Sequence, residues 1–190
     1  MQNFFGLIDR LNAHPEQKDE LETQIWQQYG FHKAVLALDM SGFSLTVRRQ
    51  GIIAYLAKIR KMQHCTQPLI RQHNGELVKY SADNLMATFD DCQQALLAAI
   101  DISQQCQQQD TPVSIGLDFG RILTIPQQDC YGDAVNIAYK LGEDLAEKNE
   151  ILVSDNFYQQ ITPHTTVQFE SHQFHISGLE FKAYSVAPQK

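Results

Sequence analysis

Two aspartates, Asp39 and Asp83, stand where an unpaired carboxylate would be costly. Asp39 ends the apolar run KAVLALDM, which is typical of a buried strand, so its carboxylate needs a partner or a cation. Asp83 lies in the turn of a hairpin predicted for GELVKYSADNLMATF, which also carries Lys79. If these two strand ends are neighbours, the two acids could share one or two hard cations, and Mg²⁺ is a suitable one. The alternatives are an Asp39 that only caps the next turn and a hairpin whose charges are solvated.

The segment MSGFS after Asp39 has the composition of an anion-binding turn. Gly42 lets the backbone come close to a ligand. A helix that starts after it would point the N–H groups of Phe43 and Ser44 outwards, which suits an anion. A pair of acids beside such amides is what a site for a metal-bound nucleoside triphosphate requires.

Composition narrows the class of protein. The 190 residues are 43% hydrophobic and 19% charged, which predicts one globular domain with a short extension. A net charge of −7 argues against a broad nucleic-acid surface. We find neither a membrane-spanning apolar run nor a signal peptide, so we expect a cytoplasmic protein without membrane contact. The four cysteines form no C-x-x-C motif, and we expect free thiols.

The first part of the chain is predicted to be helical before the first strand. Residues 1–32 form an extension with an amphipathic helix that carries Leu21, Ile25 and Tyr29 on one face. A helix over about 45–73, interrupted near Pro68, follows the first strand. The hairpin and the helix CQQALLAAIDISQQCQQQ come next.

The remaining segments alternate between the two kinds of element. PVSIGLDFGRILTI is predicted to form two strands with a glycine at their turn, and GDAVNIAYKLGEDLAEK a helix. The strand EILVS, a short helix capped by Asp155 and two last strands complete the chain. The pattern favours an α+β fold with a mostly antiparallel sheet covered by helices.

Four segments resemble, in order and spacing, the motifs of class III nucleotidyl cyclase catalytic domains: VLALDMSGFS, NGELVKYSADNLMATF, VSIGLDFGR and DCYGDAVNIAYKLGEDL. The resemblance implies a ferredoxin-like (βααββαβ) cyclase domain over residues 33–190. It also implies two divalent cations, Mg²⁺ or Mn²⁺, on Asp39, Asp83 and the backbone of Met40. The triphosphate would lie on Gly42, Phe43 and Ser44.

The resemblance implies roles for four more residues. Lys79 and Asp129 correspond to the pair that reads the purine, and Asn136 to the residue that orients the ribose. Lys140 takes the place of an arginine that stabilises the transition state in active members. Lysine can donate to the ring N1 of adenine and aspartate can accept from its 6-amino group, which favours ATP over GTP.

The activity implied is adenylate cyclase, which converts ATP to 3′,5′-cyclic AMP and pyrophosphate in sites shared between the subunits of a homodimer. The alternative is a catalytically weak or inactive homologue that binds nucleotide or acts as a regulatory module. Three departures from the family pattern favour the alternative: Lys140 for arginine, Ala82 for glycine and Ser177 for a lysine.

Overall fold

The computed structural model describes residues 3–126, 128–161, 167–176 and 179–187, with side chains at all of these positions except 43–46, 175, 176 and 179. Ser177 therefore lies outside the described residues. Among the described residues, no helix is long and apolar enough to cross a membrane.

Eight strands form one sheet in the order β2-β3-β1-β4-β6-β8-β7, with β5 paired to β4. The strands are β1 (Gly30–Met40), β2 (Glu76–Ser81), β3 (Asn84–Phe89), β4 (Val113–Ile125), β5 (Asp129–Tyr131), β6 (Ile151–Ser154), β7 (Phe169–Ile176) and β8 (Leu179–Val186). Only the β4–β6 pair is parallel among these pairings, so the sheet is mostly antiparallel as predicted.

Helices cover both faces of the sheet. They are α1 (Phe4–Ala13), α2 (Lys18–Tyr29), α3 (Phe43–Gln50), α4 (Ile52–Gln72), α5 (Cys92–Gln108), α6 (Asp133–Tyr139) and α7 (Asp155–Gln160). A π-helical turn, Lys140–Leu145, continues α6. Alternate residues of β1 face opposite ways: Leu36 and Leu38 pack against α4 and α5, whereas Val35 and Ala37 pack against α6. Asp39 therefore belongs to the α6 face.

The extension is more complex than the single helix we expected. Two helices, α1 and α2, are joined by a 3₁₀ turn that begins at Pro15, where proline cannot continue an α-helix. Their apolar faces pack on the far end of β4 in a cluster of Phe4, Leu7, Leu21, Ile25 and Ile125. β1 begins at Gly30, and the division between extension and domain stays a prediction.

The helical stretch after β1 is broken at Gly51 and not at Pro68. Gly51 has φ 85°, which ends α3 and starts α4. Pro68 lies on the exposed side of α4, and the helix runs past it to Gln72. The buried face of α4 consists of Tyr55, Ile59, Met62, Thr66 and Ile70, whereas Ile52, Ile53 and Leu56 are exposed.

Two further expectations are wrong. Val113–Ile125 is one strand and not two, because its glycine does not make a turn. A Cβ at Gly116 would lie 2.0 Å from the carbonyl oxygen of Ala138, so the glycine allows α6 to pack directly on the sheet. The N-cap of α7 is Ser154, whose hydroxyl accepts from the Phe157 amide, and not Asp155.

Candidate active site

The antiparallel pairing of β1 and β3 brings the two predicted metal ligands to one edge of the sheet. Asp39 pairs with Asn84, and Asp83 precedes Asn84 in the two-residue turn after Ser81. Asp39 is partly buried, and burial, followed by the negative charges of Asp83 and Glu143, raises its pKa to about 7. We call Asp39, Asp83 and Glu143 the carboxylate cluster.

Tyr55 and Glu143 are two members of this region that the sequence did not predict. The hydroxyl of the buried Tyr55 donates a hydrogen bond to Asp83 Oδ2 at 2.7 Å. Burial and this hydrogen bond raise the pKa of Tyr55. Its place on α4, one turn before Ile59 and on the same face, is a signal that could have been noticed. Glu143 Oε1 accepts a hydrogen bond from Asn84 Nδ2. That contact depends on the π-helical turn, for which we see no sequence signal.

The carboxylate cluster suits a hard cation. Its ligands would be carboxylate oxygens, and like charges at short range favour a bound positive charge. Within the described ranges, no group of three or more His, Cys, Asp or Glu side chains is placed to hold a metal ion, and this includes the three carboxylates of the cluster. A cation here would need further ligands from outside the cluster, and Mg²⁺ is a cation that keeps waters and binds substrate phosphates. Met40 contributes a backbone amide that donates to the Asp39 carboxylate.

The predicted phosphate-binding turn begins a helix. Gly42 has φ 90° and ψ 23°, and α3 starts at Phe43. The backbone N–H groups of Phe43 and Ser44 therefore belong to the first turn, where they have no partner within the helix. A Cβ at residue 42 would meet no atom within 4 Å, so the glycine is needed there for its φ and not for space. A role in triphosphate binding stays a prediction for all three residues.

The two residues predicted to read the purine are in contact. Lys79 Nζ donates to Asp129 Oδ1 and Oδ2, both at 2.8 Å, and their side chains are 35% and 27% exposed. Asp129 belongs to β5, a short strand that the sequence did not predict, and its Oδ1 also accepts from the Cys130 amide at 2.9 Å. A bulge in β2 between Leu77 and Lys79 shifts the register and sets the direction of the lysine.

Asn136 and Lys140 lie one turn apart at the end of α6, on the same side of the helix. Asn136 is exposed. Lys140 begins the π-helical turn, and its Nζ lies 2.5 Å from Asp144 Oδ2. The same turn carries Glu143, so one short segment contacts the carboxylate cluster and presents the residue that replaces arginine.

Comparisons with known proteins now bear on these observations. No protein-family model matches the chain. The chain is 24% identical over 150 residues to "Putative adenylate cyclase 3" of Rhizobium meliloti (strain 1021), which covers 75% of this chain. The chain spans only 25% of the length of that relative.

Solved structures share the architecture. The catalytic core of a rhodopsin–guanylyl cyclase with converted specificity, in complex with ATPαS, matches at 21% identity and TM-score 0.74, over 85% of this chain and 98% of that one. An adenylate/guanylate cyclase/hydrolase from Silicibacter pomeroyi matches at 27% identity and TM-score 0.71, over 85% and 99%. The resemblance predicted from the motifs is confirmed: the chain has the fold of a class III nucleotidyl cyclase catalytic domain.

Proposed function

We propose that this protein is an adenylate cyclase that converts ATP to 3′,5′-cyclic AMP and pyrophosphate. The observation that carries the proposal is the Lys79–Asp129 contact at 2.8 Å, which places a hydrogen-bond donor and an acceptor side by side. One region offers hydrogen bonds to a base, and the other offers negative charge to cations. A nucleoside triphosphate with bound metal supplies both the base and the cations.

Adenine suits the Lys79–Asp129 pair without requiring it to separate. An ammonium group has three protons, so Lys79 can bind Asp129 and still donate to the ring N1. Asp129 Oδ2 accepts only from Lys79 among the described contacts, and its second lone pair can accept from the 6-amino group. Guanine offers an N–H and a carbonyl at these two positions, which leaves the donor and the acceptor mismatched.

The reaction we propose needs no side-chain nucleophile, because the ribose 3′-oxygen attacks the α-phosphorus of the same molecule. Two divalent cations, Mg²⁺ or Mn²⁺, held by Asp39, Asp83 and the Met40 carbonyl would lower the pKa of the 3′-hydroxyl and bind the phosphate oxygens. Gly42, Phe43 and Ser44 would hold the triphosphate with backbone amides. Asn136 would orient the ribose, and Lys140 would place positive charge beside the reacting phosphate.

We further propose a homodimer in which one subunit supplies the carboxylate cluster and the other supplies Lys79, Asp129, Asn136 and Lys140. Mixing Asp39→Ala with Asn136→Ala subunits tests this arrangement. The mixture should form heterodimers with one intact site and recover activity that both single variants lack. Heterodimers without recovered activity would contradict the shared site.

A regulatory module is the second candidate, and one contact favours it. Lys140 is held by Asp144 within its own helix, and a lysine cannot give the two-pronged hydrogen bonding of an arginine. A chain that binds ATP without turnover would fit this arrangement.

The deciding experiment is to incubate the purified protein with ATP, GTP, CTP or UTP in Mn²⁺ and then in Mg²⁺, and to identify products by mass spectrometry. We expect cyclic AMP from the wild type and none from Asp39→Ala. A cyclic product from another base would contradict the adenine argument. A folded dimer that makes no cyclic product would contradict the enzyme and favour the regulatory module.

A further inference from the structure

Two thiols on neighbouring helices contact each other away from the candidate active site. Cys65 on α4 and Cys106 on α5 have their Sγ atoms 3.5 Å apart. All four cysteines of the chain are free. Among the described residues, neither Cys92 nor Cys130 has a second thiol within hydrogen-bonding distance, so the contact distinguishes one pair from the other cysteines.

The two members of the pair differ in exposure and in acidity. Cys65 is partly exposed, whereas Cys106 is buried. The hydrogen bond with Cys106 lowers the Cys65 pKa, which favours the thiolate at the more accessible sulfur. The same hydrogen bond, together with burial, raises the Cys106 pKa. Cys65 is therefore suited to attack an oxidant, and Cys106 is placed to react with the product.

We propose that Cys65 and Cys106 form a redox-modification site at which a peroxide converts the two thiols to a disulfide between α4 and α5. The inference does not depend on the proposed cyclase activity. Disulfides in cytosolic proteins are usually transient and either catalytic or redox-sensing, and redox-sensing cysteines are accessible, have a low pKa and often lie next to a second cysteine.

The step is balanced with hydrogen peroxide as the oxidant. The Cys65 thiolate attacks one peroxide oxygen, the O–O bond breaks, and a sulfenic acid forms at Cys65 as hydroxide leaves and takes up a proton. The Cys106 sulfur then attacks the Cys65 sulfur, the S–O bond breaks, and the Cys106 proton leaves with the oxygen as water. Two thiols lose two electrons in all, and the peroxide becomes two molecules of water.

The first reaction prepares the second. The Cys65 thiolate contributes to the high Cys106 pKa through its hydrogen bond and its charge, and both are lost when Cys65 becomes a neutral sulfenic acid. A disulfide bond is about 2.05 Å long, so the sulfurs must approach by roughly 1.5 Å, a distance within reach of side-chain rotation and a small helix shift.

The oxidised pair would fix α4 relative to α5. α4 carries Tyr55, which donates to Asp83, while α5 packs against the core residues of β1 and β3. A cross-link between them restrains the helix that supports the carboxylate cluster. Oxidation would thereby become detectable both as a chemical change and as a change in thermal stability.

The test uses the full chain, treated with hydrogen peroxide, blocked with iodoacetamide and digested without reductant. Mass spectrometry should find a peptide containing Cys65 joined to one containing Cys106, and the free thiols should fall from four to two. Dithiothreitol should restore all of them. The cross-link should form in the native protein and lose its selectivity in urea, where the contact is absent.

A matched control is Cys92→Ala, which removes another buried thiol of α5 and should leave the cross-link intact. Cys106→Ala should abolish the cross-link and let Cys65 proceed to sulfinic acid. Retention of four free thiols, a cross-link that uses Cys92 or Cys130, or links only between molecules would overturn the proposal. These readouts concern mass and not product formation, so they stand whether or not the cyclase activity is found.

Discussion

The carboxylate cluster and the Lys79–Asp129 pair each have one member on the β2–β3 hairpin, Asp83 and Lys79, but they differ in their balance of charge. In the cluster, Asp39, Asp83 and Glu143 are all acidic, and the Asp39 pKa is raised to about 7 by burial and by its neighbours. In the pair, a cation and an anion meet at 2.8 Å. Among the ion pairs of the described residues, none involves a carboxylate of the cluster, whereas the pair neutralises itself.

The difference predicts that the two regions respond in opposite ways to the loss of a charge. Removing the charge of Asp39 relieves repulsion within the cluster, whereas Asp83 and Glu143 also accept hydrogen bonds from Tyr55 and Asn84. Removing either member of the pair leaves an unpaired charge that is partly buried. Repulsion within the cluster thus lowers the free energy of unfolding, and a bound cation would remove that repulsion. The pair stabilises the fold without a ligand.

The largest effect is expected for Asp39→Asn. Cyclic AMP formation should fall at least about 10²–10³-fold, because the variant loses a proposed metal ligand and its charge. In EDTA, the variant should also unfold at a higher temperature than the wild type. The reason is that a neutral side chain at residue 39 is not repelled by the carboxylates of Asp83 and Glu143. The control is Asp118→Asn, which neutralises a buried carboxylate that accepts a hydrogen bond from Ser154. This variant should form cyclic AMP at the wild-type rate. A lower Tm for Asp39→Asn would contradict the contrast.

Lys79→Met probes the pair. It removes the proposed donor to adenine and leaves Asp129 without its cation, so kcat/KM for ATP should fall by roughly 10–100-fold. The ratio of ATP to GTP turnover should fall as well. Lys33→Met, which breaks the Lys33–Asp90 contact on the same sheet, is the matched control and should alter neither value. Equal losses for both nucleotides would show that Lys79 does not read the base.

Lys140→Arg tests the π-helical turn that also carries Glu143 of the cluster. An arginine offers a planar fork to two phosphate oxygens, so kcat should rise by about tenfold with little change in KM. Asp144→Asn separates geometry from charge, since it releases Lys140 from its 2.5 Å contact without changing the lysine. An unchanged kcat in Lys140→Arg would show that the residue is not the transition-state cation.

Tyr55→Phe is expected to act on the cluster alone. It deletes the hydroxyl that donates to Asp83 Oδ2 and keeps the buried ring. Loss of one such bond should raise the Mn²⁺ concentration needed for half-maximal activity by roughly 3–10-fold, and kcat at saturating metal should change little. Tyr80→Phe, which deletes a hydroxyl bonded to Thr66, is the control and should leave the metal requirement unchanged. The same shift in both variants would show that the effect is not specific to Asp83.

Ala82→Gly should have the smallest effect, and it should stabilise the fold, whereas most substitutions destabilise it. Ala82 has φ 52°, a left-handed conformation that glycine adopts without strain. The free energy of unfolding should rise by about 0.5–1 kcal/mol in urea titrations. Ala87→Gly in the buried part of β3 provides the reference and should destabilise the protein. Destabilisation by both changes would show that the turn is unstrained.

The sequence was sufficient for features that depend on local pattern. Alternation and a turn placed the β2–β3 hairpin, and an apolar run placed Asp39 at the end of β1. The contact of Lys79 with Asp129 followed from the resemblance alone, because their separation along the chain carries no local signal. Their predicted roles in substrate binding are not tested by the fold.

The errors arose where tertiary contacts decide the local structure. A glycine of β4 was expected to make a turn, although the strand is continuous and Gly116 allows α6 to pack closely on it. Glu143 was missed because the π-helical turn that directs it depends on backbone hydrogen bonds and not on residue type. Pro68 was expected to interrupt α4, although its ring lies on the solvent side, where a missing amide donor costs least.

The contact between Gly116 and Gly142 fixes the distance between the π-helical turn and the sheet. A Cβ at Gly142 would come within 2.8 Å of the Gly116 amide nitrogen and of the Ala37 carbonyl oxygen, so no side chain separates the π-helical turn from the sheet. The height of Asn136 and Lys140 above the sheet is thus fixed by backbone and cannot be adjusted by repacking. A single methyl group here would push the whole segment away from the sheet, so two residues without a functional group determine where Asn136 and Lys140 lie.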